Sequence, residues 1–195
     1  MTTVPEPTPS RTLYMLALDP SFRATGWAVL NLGPMQIVAL GVIQTAKAKA
    51  TERLLAAADD GRAGLVIRRA VKGLLEEYLP IVVAQEANTG SKSAKAAKQL
   101  ARAQQACCDA CDEHLGAMPM MHTPQAVKKG MTGAMGASKD EVEAAVRKHW
   151  PEADFNVLLA GVAPKKRENA FDALAVAYVA SLEQQVASLR KLARP

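Results

Sequence analysis

The order of sequence patterns constrains the fold most: three short apolar runs come first, and only then do helical periodicities begin, alternating with further short runs. Residues 13–19, LYMLALD, are mostly apolar, as a buried strand requires, and are closed by the turn-formers Pro20 and Ser21. Such a strand delivers Asp19 at its C-terminal end. Residues 27–30 after Gly26, and residues 35–45 (MQIVALGVIQT), read as second and third strands with Asn31, Gly33 and Pro34 turning between them, which predicts an antiparallel meander. From Thr51 to Leu79 the apolar positions shift to helical spacing, and Gly61 and Gly64 offer a point at which this stretch divides into two helices. Pro80 stops it, and residues 81–84 form a short strand that delivers Glu86 at its end. A helix followed by a strand points to a crossover onto a parallel neighbour.

The second half continues the alternation. Residues 93–115, rich in Ala, Gln, Lys and Arg, predict a long helix ending at Gly116, and residues 118–122 a fifth strand. A helical turn opens at Pro124, residues 131–137 (MTGAMGA) form a glycine-bearing loop, and Ser138 with Glu141 has the spacing of a capping box for a helix to about His149. Residues 168–190 read as one last helix. The expectation is a single α/β domain over residues 12–193, preceded by a disordered Pro- and Thr-rich tail at 1–11.

No apolar run approaches the roughly 18 residues of a membrane span. A net charge of +5 favours polyanionic partners without requiring them. The three cysteines, Cys107, Cys108 and Cys111, lie too close together to staple a fold, which implies a reducing cytoplasm. Cys108, Cys111 and His114 resemble half of a zinc site but lack a second Cys/His pair, so packing within a helix is expected.

Three acids stand where apolar segments end or begin: Asp19, Glu86 and Asp172. Acids so placed converge at one end of a sheet, where ligand sites of α/β folds form. Here the residues resemble the RuvC family of four-way-junction nucleases. The matches are Leu18-Asp19-Pro20-Ser21-Phe22-Arg23-Ala24-Thr25-Gly26 after the first strand, Val82-Val83-Ala84-Gln85-Glu86 in the fourth, and Asn169-Ala170-Phe171-Asp172-Ala173-Leu174-Ala175 in the last helix. Lys128 and Lys139, eleven residues apart around Gly130, Gly133 and Gly136, match a lysine pair of the family.

The resemblance implies a ribonuclease-H-like fold with a mixed five-stranded sheet and helices on both faces. It implies two magnesium ions per site, with manganese as a substitute, held by Asp19, Glu86 and Asp172. Two such ions roughly 4 Å apart can activate water and stabilise the leaving oxygen. Lys139 would stabilise transition-state charge near the scissile phosphate, and Lys128 would support it or contact DNA. A homodimer with two active sites, acting on four-way junctions in a bacterial or phage-infected cytoplasm, follows from the same resemblance, which leaves open whether forks are also cut.

The chain departs from the family pattern at three places. Asn169 stands where an acid is common, and Glu168, four residues before Asp172 and on its helix face, is a second metal-ligand candidate. Ser21 replaces a glycine of the first turn. Thr89 replaces an aromatic that stacks near the branch point, a lean toward divergent phage members. Lys92, Lys95, Lys98 and Arg102 on the helix after Glu86, and Lys165, Lys166 and Arg167 before the last helix, are candidate phosphate contacts. Ala96, Leu100, Ala103 and Cys107 form a companion stripe suited to a second subunit. Two alternatives share these features: a YqgF-like nuclease acting on RNA, and a branched-DNA-binding protein without turnover. Sugar-kinase and actin-like ATPases need two such domains, and 195 residues are too few.

Overall fold

The structure, a computed structural model, describes residues 12–52, 55–87, 89–90 and 93–193. The expected tail at 1–11 and the candidate contact Lys92 lie outside the described residues.

Strand β1 (Tyr14–Asp19) is the centre of the sheet because its continuous apolar run can be buried on both faces; Met15, Leu16, Ala17 and Leu18 are all inaccessible. On one side it pairs antiparallel with β2 (Ala24–Asn31), which pairs antiparallel with β3 (Gln36–Gln44). The long helix α1 (Ala56–Tyr78) then crosses over to β4 (Val82–Glu86), parallel to β1 on its other side. Helix α2 (Ala94–Leu115) crosses again to β5 (Met120–His122), parallel to β4, giving the order β3-β2-β1-β4-β5. The sheet is therefore mixed and five-stranded, as expected.

Alternation along β1 and β4 divides the core. Leu16, Leu18 and Val83 face α1 and α2, packing with Ile67, Val71, Leu75, Ala103 and Cys107. Met15, Ala17 and Ala84 face the other layer, built from α3 (Pro124–Thr132), α4 (Lys139–His149), the short α5 (Phe155–Leu158) and α6 (Arg167–Leu182). Helices thus cover both faces.

Three sequence expectations need correction. Helix α1 is continuous through Gly61 and Gly64: these glycines give room to the neighbouring helix, since a Cβ at 64 would lie 3.4 Å from Arg102 Cγ. Arg102 therefore packs along α1, sharing the groove between α1 and α2 with Lys98. The companion stripe is not free for a second subunit, because Ala103 and Cys107 are fully buried in this chain's own core. The last helix is two helices. Glu183 takes an extended conformation (φ −60°, ψ 138°), and α7 (Gln184–Leu192) turns back so that Val186 enters the core beside α6.

The predicted caps are present: Ser93 and Gly116 bound α2, and Ser138 with Glu141 forms the capping box of α4; the turn expected at Pro124 is a helix that runs through Thr132 into the expected loop, capped by Thr123 and Gly133. The three cysteines are buried thiols, as packing required. Among the described residues, no helix is long and apolar enough to cross a membrane.

Candidate active site

A cleft of ≈ 360 Å³ opens at the C-terminal ends of β1 and β4, lined by Asp19, Glu86, Asn169, Asp172, Lys128 and Lys139 among others. Each side chain has a local reason to be there. Asp19 and Glu86 are the last residues of their strands, and the strand period turns both toward the α6 layer that Ala17 and Ala84 also face. Asp172 comes from α6, which is buried around most of its circumference; its alanines at 170, 173, 175 and 177 let the helix lie close on the sheet. Asp172 is one of the polar residues that interrupt this burial.

The Thr25-Gly26 pair explains how the acids are brought together. The Thr25 hydroxyl donates to the Ser21 carbonyl at 2.7 Å and accepts from the Ser21 amide at 3.4 Å, closing the turn after Asp19 around a fully buried side chain. Gly26 pairs with Asp19 across the sheet, and a Cβ there would lie 1.8 Å from the Asn169 carbonyl oxygen. Only a glycine allows α6 to approach β2 this closely. Both residues belonged to the quoted motif, but nothing in the sequence says that Gly26 faces the backbone of residue 169.

The electrostatics are those of crowded acids. Burial, then the neighbouring Asp172 and Glu86 carboxylates, hold Asp19 well above the usual carboxylate range. Glu86 is pushed up to about 7, first by burial and then by Asp172, with Lys128 and Lys139 opposing. Asp172 is raised to about 6, chiefly by burial and despite Lys139. Burial alone would lower Lys139, but its hydrogen bond to Glu168 and the nearby acids raise it.

An all-oxygen set of desolvated, mutually repelling carboxylates fits a hard divalent cation, which prefers oxygen ligands. Among the described residues no three His, Cys, Asp or Glu side chains stand close enough together to hold a metal ion by themselves. The cleft suits a cation whose shell is completed from outside the chain, as magnesium sites use one or two carboxylates with substrate phosphate and water.

This electrostatics has a consequence for stability. Acids whose folded pKa is raised favour the fold when protonated, so their contribution is full below about pH 4 and is lost as pH rises through about 6 to 7. A bound cation offsets that loss. Millimolar magnesium or manganese is therefore expected to raise Tm more at pH 8 than at pH 5.5, measured by differential scanning fluorimetry. An equal shift at both pH values would count against cation binding by these acids.

The other predicted residues separate into groups. Asn169 lines the cleft, and its Nδ2 donates to the Lys166 carbonyl at 3.1 Å, leaving the amide oxygen as the available donor to a cation. Glu168 stands just outside the lining of the cleft, near enough for its charge to help raise Asp19 and Asp172, and its carboxylate meets Lys139 Nζ at 2.8 Å. Lys95 is exposed on the first turn of α2, and Lys98 lies in the groove between α1 and α2. Lys165 is exposed, Lys166 donates to Gln44 Oε1 at 2.7 Å, and Arg167 donates from Nε to the Val162 carbonyl at 3.1 Å. Leu100 and Gln104, one turn apart on α2, also line the cleft, as does Thr89. Leu100 was assigned by pattern to a subunit contact, and Gln104 carried no signal, because the face of α2 that meets the cleft is set by packing.

A meander followed by two crossovers, with acids from the first and fourth strands and the last long helix meeting at one sheet end, defines a ribonuclease-H-like protein. The family model for crossover junction endodeoxyribonuclease RuvC matches residues 15–180, and the chain belongs to the RuvC family. It is 28% identical to the RuvC of Nitrobacter hamburgensis, covering 93% of this chain and 96% of the relative. It is 30% identical to that of Erythrobacter litoralis, covering 90% and 97%. Among solved structures, Thermus thermophilus RuvC in complex with a Holliday junction substrate superposes with TM-score 0.64 at 22% identity, covering 93% and 97%. The yeast mitochondrial Holliday junction resolvase Ydc2 gives 0.60 at 10% identity, covering 93% and 83%.

Proposed function

We propose that this protein is a metal-dependent endonuclease that resolves four-way DNA junctions by paired phosphodiester hydrolysis, the activity carried in its family's name. The observation that supports it best is that Asp19, Glu86 and Asp172 open on one cleft together with Lys128 and Lys139. Asp19, Glu86 and Asp172 would hold the divalent cations, with the Asn169 amide oxygen as a further donor. Magnesium, two ions per site, is the proposed occupant and manganese its substitute. When bound, such cations supply Lewis-acid activation of the phosphate and of an attacking water.

The chain's own groups do the rest. Lys139, at the first position of α4, offers its ammonium to a non-bridging phosphate oxygen and stabilises the charge that grows there as the bond breaks. Lys128, half-buried on α3, adds a second positive charge on the same wall. Lys95 and Lys165 are exposed and are proposed as sequence-independent phosphate contacts, with Lys166 and Arg167 in a lesser role because each already donates within the chain. A homodimer, with one site for each of two opposed strands, belongs to the same reading.

The reading is tested by incubating synthetic four-way junctions, forks, duplexes and a matched structured RNA with the protein, in magnesium and in chelator. Symmetric paired nicks in the junction, present only with metal, are expected. Cleavage of the RNA alone would establish the RNA nuclease, and binding without nicking would establish a binding module. Lys139→Ala is expected to slow single-turnover junction cleavage roughly a hundredfold while changing junction affinity less than about threefold. Equal losses in rate and affinity would reduce Lys139 to a phosphate contact.

A further inference from the structure

Glu168 and Asn169 flank Asp172 on opposite sides of the same helical face, because residues i and i+4 are about 40° apart around the axis and i and i+3 about 60° the other way. The cleft lies on the Asn169 side. Glu168 is left at the rim, in the first turn of α6, where its Oε1 meets Nζ of Lys139, the first residue of α4, at 2.8 Å. Resting on the nuclease reading above, we propose that Glu168 is a positioning residue: it holds the Lys139 ammonium at the mouth of the cleft and does not ligate the cations.

The contact joins two separate elements and is not a pair within one helix. Both side chains are open to solvent, 56% for Lys139 and 45% for Glu168, so the pair adds little to stability. Its effect lies in direction. A lysine has four rotatable side-chain bonds and, unrestrained at the N-terminus of a helix, would sweep through solvent. Its ammonium has three donors; one held by Glu168 leaves two for a phosphate oxygen. Asn169 reinforces the division of labour, since the neutral amide faces the cleft while the carboxylate one residue earlier faces the lysine.

A double-mutant cycle distinguishes this role from the other two. Single-turnover junction cleavage is measured for wild type, Glu168→Ala, Lys139→Ala and the double variant. Manganese affinity of each free protein, and of Asp172→Asn, is measured by calorimetry. The order of the Lys139 side chain is read from carbon relaxation at Cε in wild type and Glu168→Ala. Glu168→Ala is expected to slow cleavage roughly tenfold with junction affinity within about twofold, and to slow Lys139→Ala no further. Its manganese affinity is expected to stay within about twofold of wild type while Asp172→Asn loses about tenfold or more, and Lys139 is expected to become measurably more mobile. A further loss in the Lys139→Ala background, or a manganese defect like that of Asp172→Asn, would make Glu168 a ligand and overturn the proposal. An unchanged rate, or an unchanged Lys139 order, would make the contact an ordinary surface pair and overturn it too. A wild-type protein that does not cleave would sink the nuclease reading instead, and the manganese and relaxation measurements would still judge Glu168.

Discussion

Asp19→Asn is expected to lower metal-dependent junction cleavage by at least about a thousandfold while leaving junction binding intact. Asparagine keeps the size of the side chain and one acceptor oxygen, so β1 and its turn are undisturbed; what is removed is the charge. Asp19 is the acid on which both other cleft carboxylates press, and its side chain lies at the end of the central strand. A neutral group there cannot balance a divalent cation beside a phosphate. Binding is expected to hold or tighten, because one negative charge facing a polyanion has gone. With no cation present, the variant is expected to melt no lower than wild type, since the repulsion with Asp172 and Glu86 is relieved. Gel cleavage, filter binding and a melting curve check the three parts, and undiminished cleavage would remove the mechanism.

Gly26→Ala is the second large effect and acts through the fold. The added methyl would lie 1.8 Å from the Asn169 carbonyl oxygen and 2.4 Å from its carbonyl carbon, both backbone atoms that cannot rotate away. Either β2 or α6 must shift. The cost is expected to be about 1 to 3 kcal/mol or more, as for other overpacked cores. Because α6 carries Asp172, the shift also pulls one acid away from Asp19, and a displacement near 1 Å can cost about a hundredfold in rate. Gly73→Ala is the matched control. Gly73 is exposed on α1 with nothing within 4 Å of an added Cβ, so the change is expected to be neutral or stabilising by up to about 1 kcal/mol. Denaturant melts and single-turnover rates of the two variants, compared in parallel, check the prediction. A Gly26→Ala protein as stable and as fast as wild type would show that α6 need not lie against β2.

The strands were legible because burial on both faces leaves a continuous apolar run, and the helix starts because Ser93 and Ser138 cap them locally and Pro124 suits a first helical position. The acids at 19 and 86 were legible for the same reason, as polar residues that close apolar runs. The break at Glu183 was not, because residues 168–190 contain no Gly or Pro to mark it, and only the structure shows Val186 reaching the core from a second helix. Glycines in α1 read as a division when they are a clearance for Arg102.

Sequence by itself determined the alternation of strands and helices, the caps, and the delivery of Asp19 and Glu86 to the same end of the sheet, all of which depend on contacts within a few residues or on the period of two along a strand. Tertiary structure alone decided which side of Asp172 faces the cleft, so that Asn169 lines it and Glu168 turns to Lys139. A helix repeats every 3.6 residues, and two neighbours on its surface are equivalent until packing against the sheet sets its rotation.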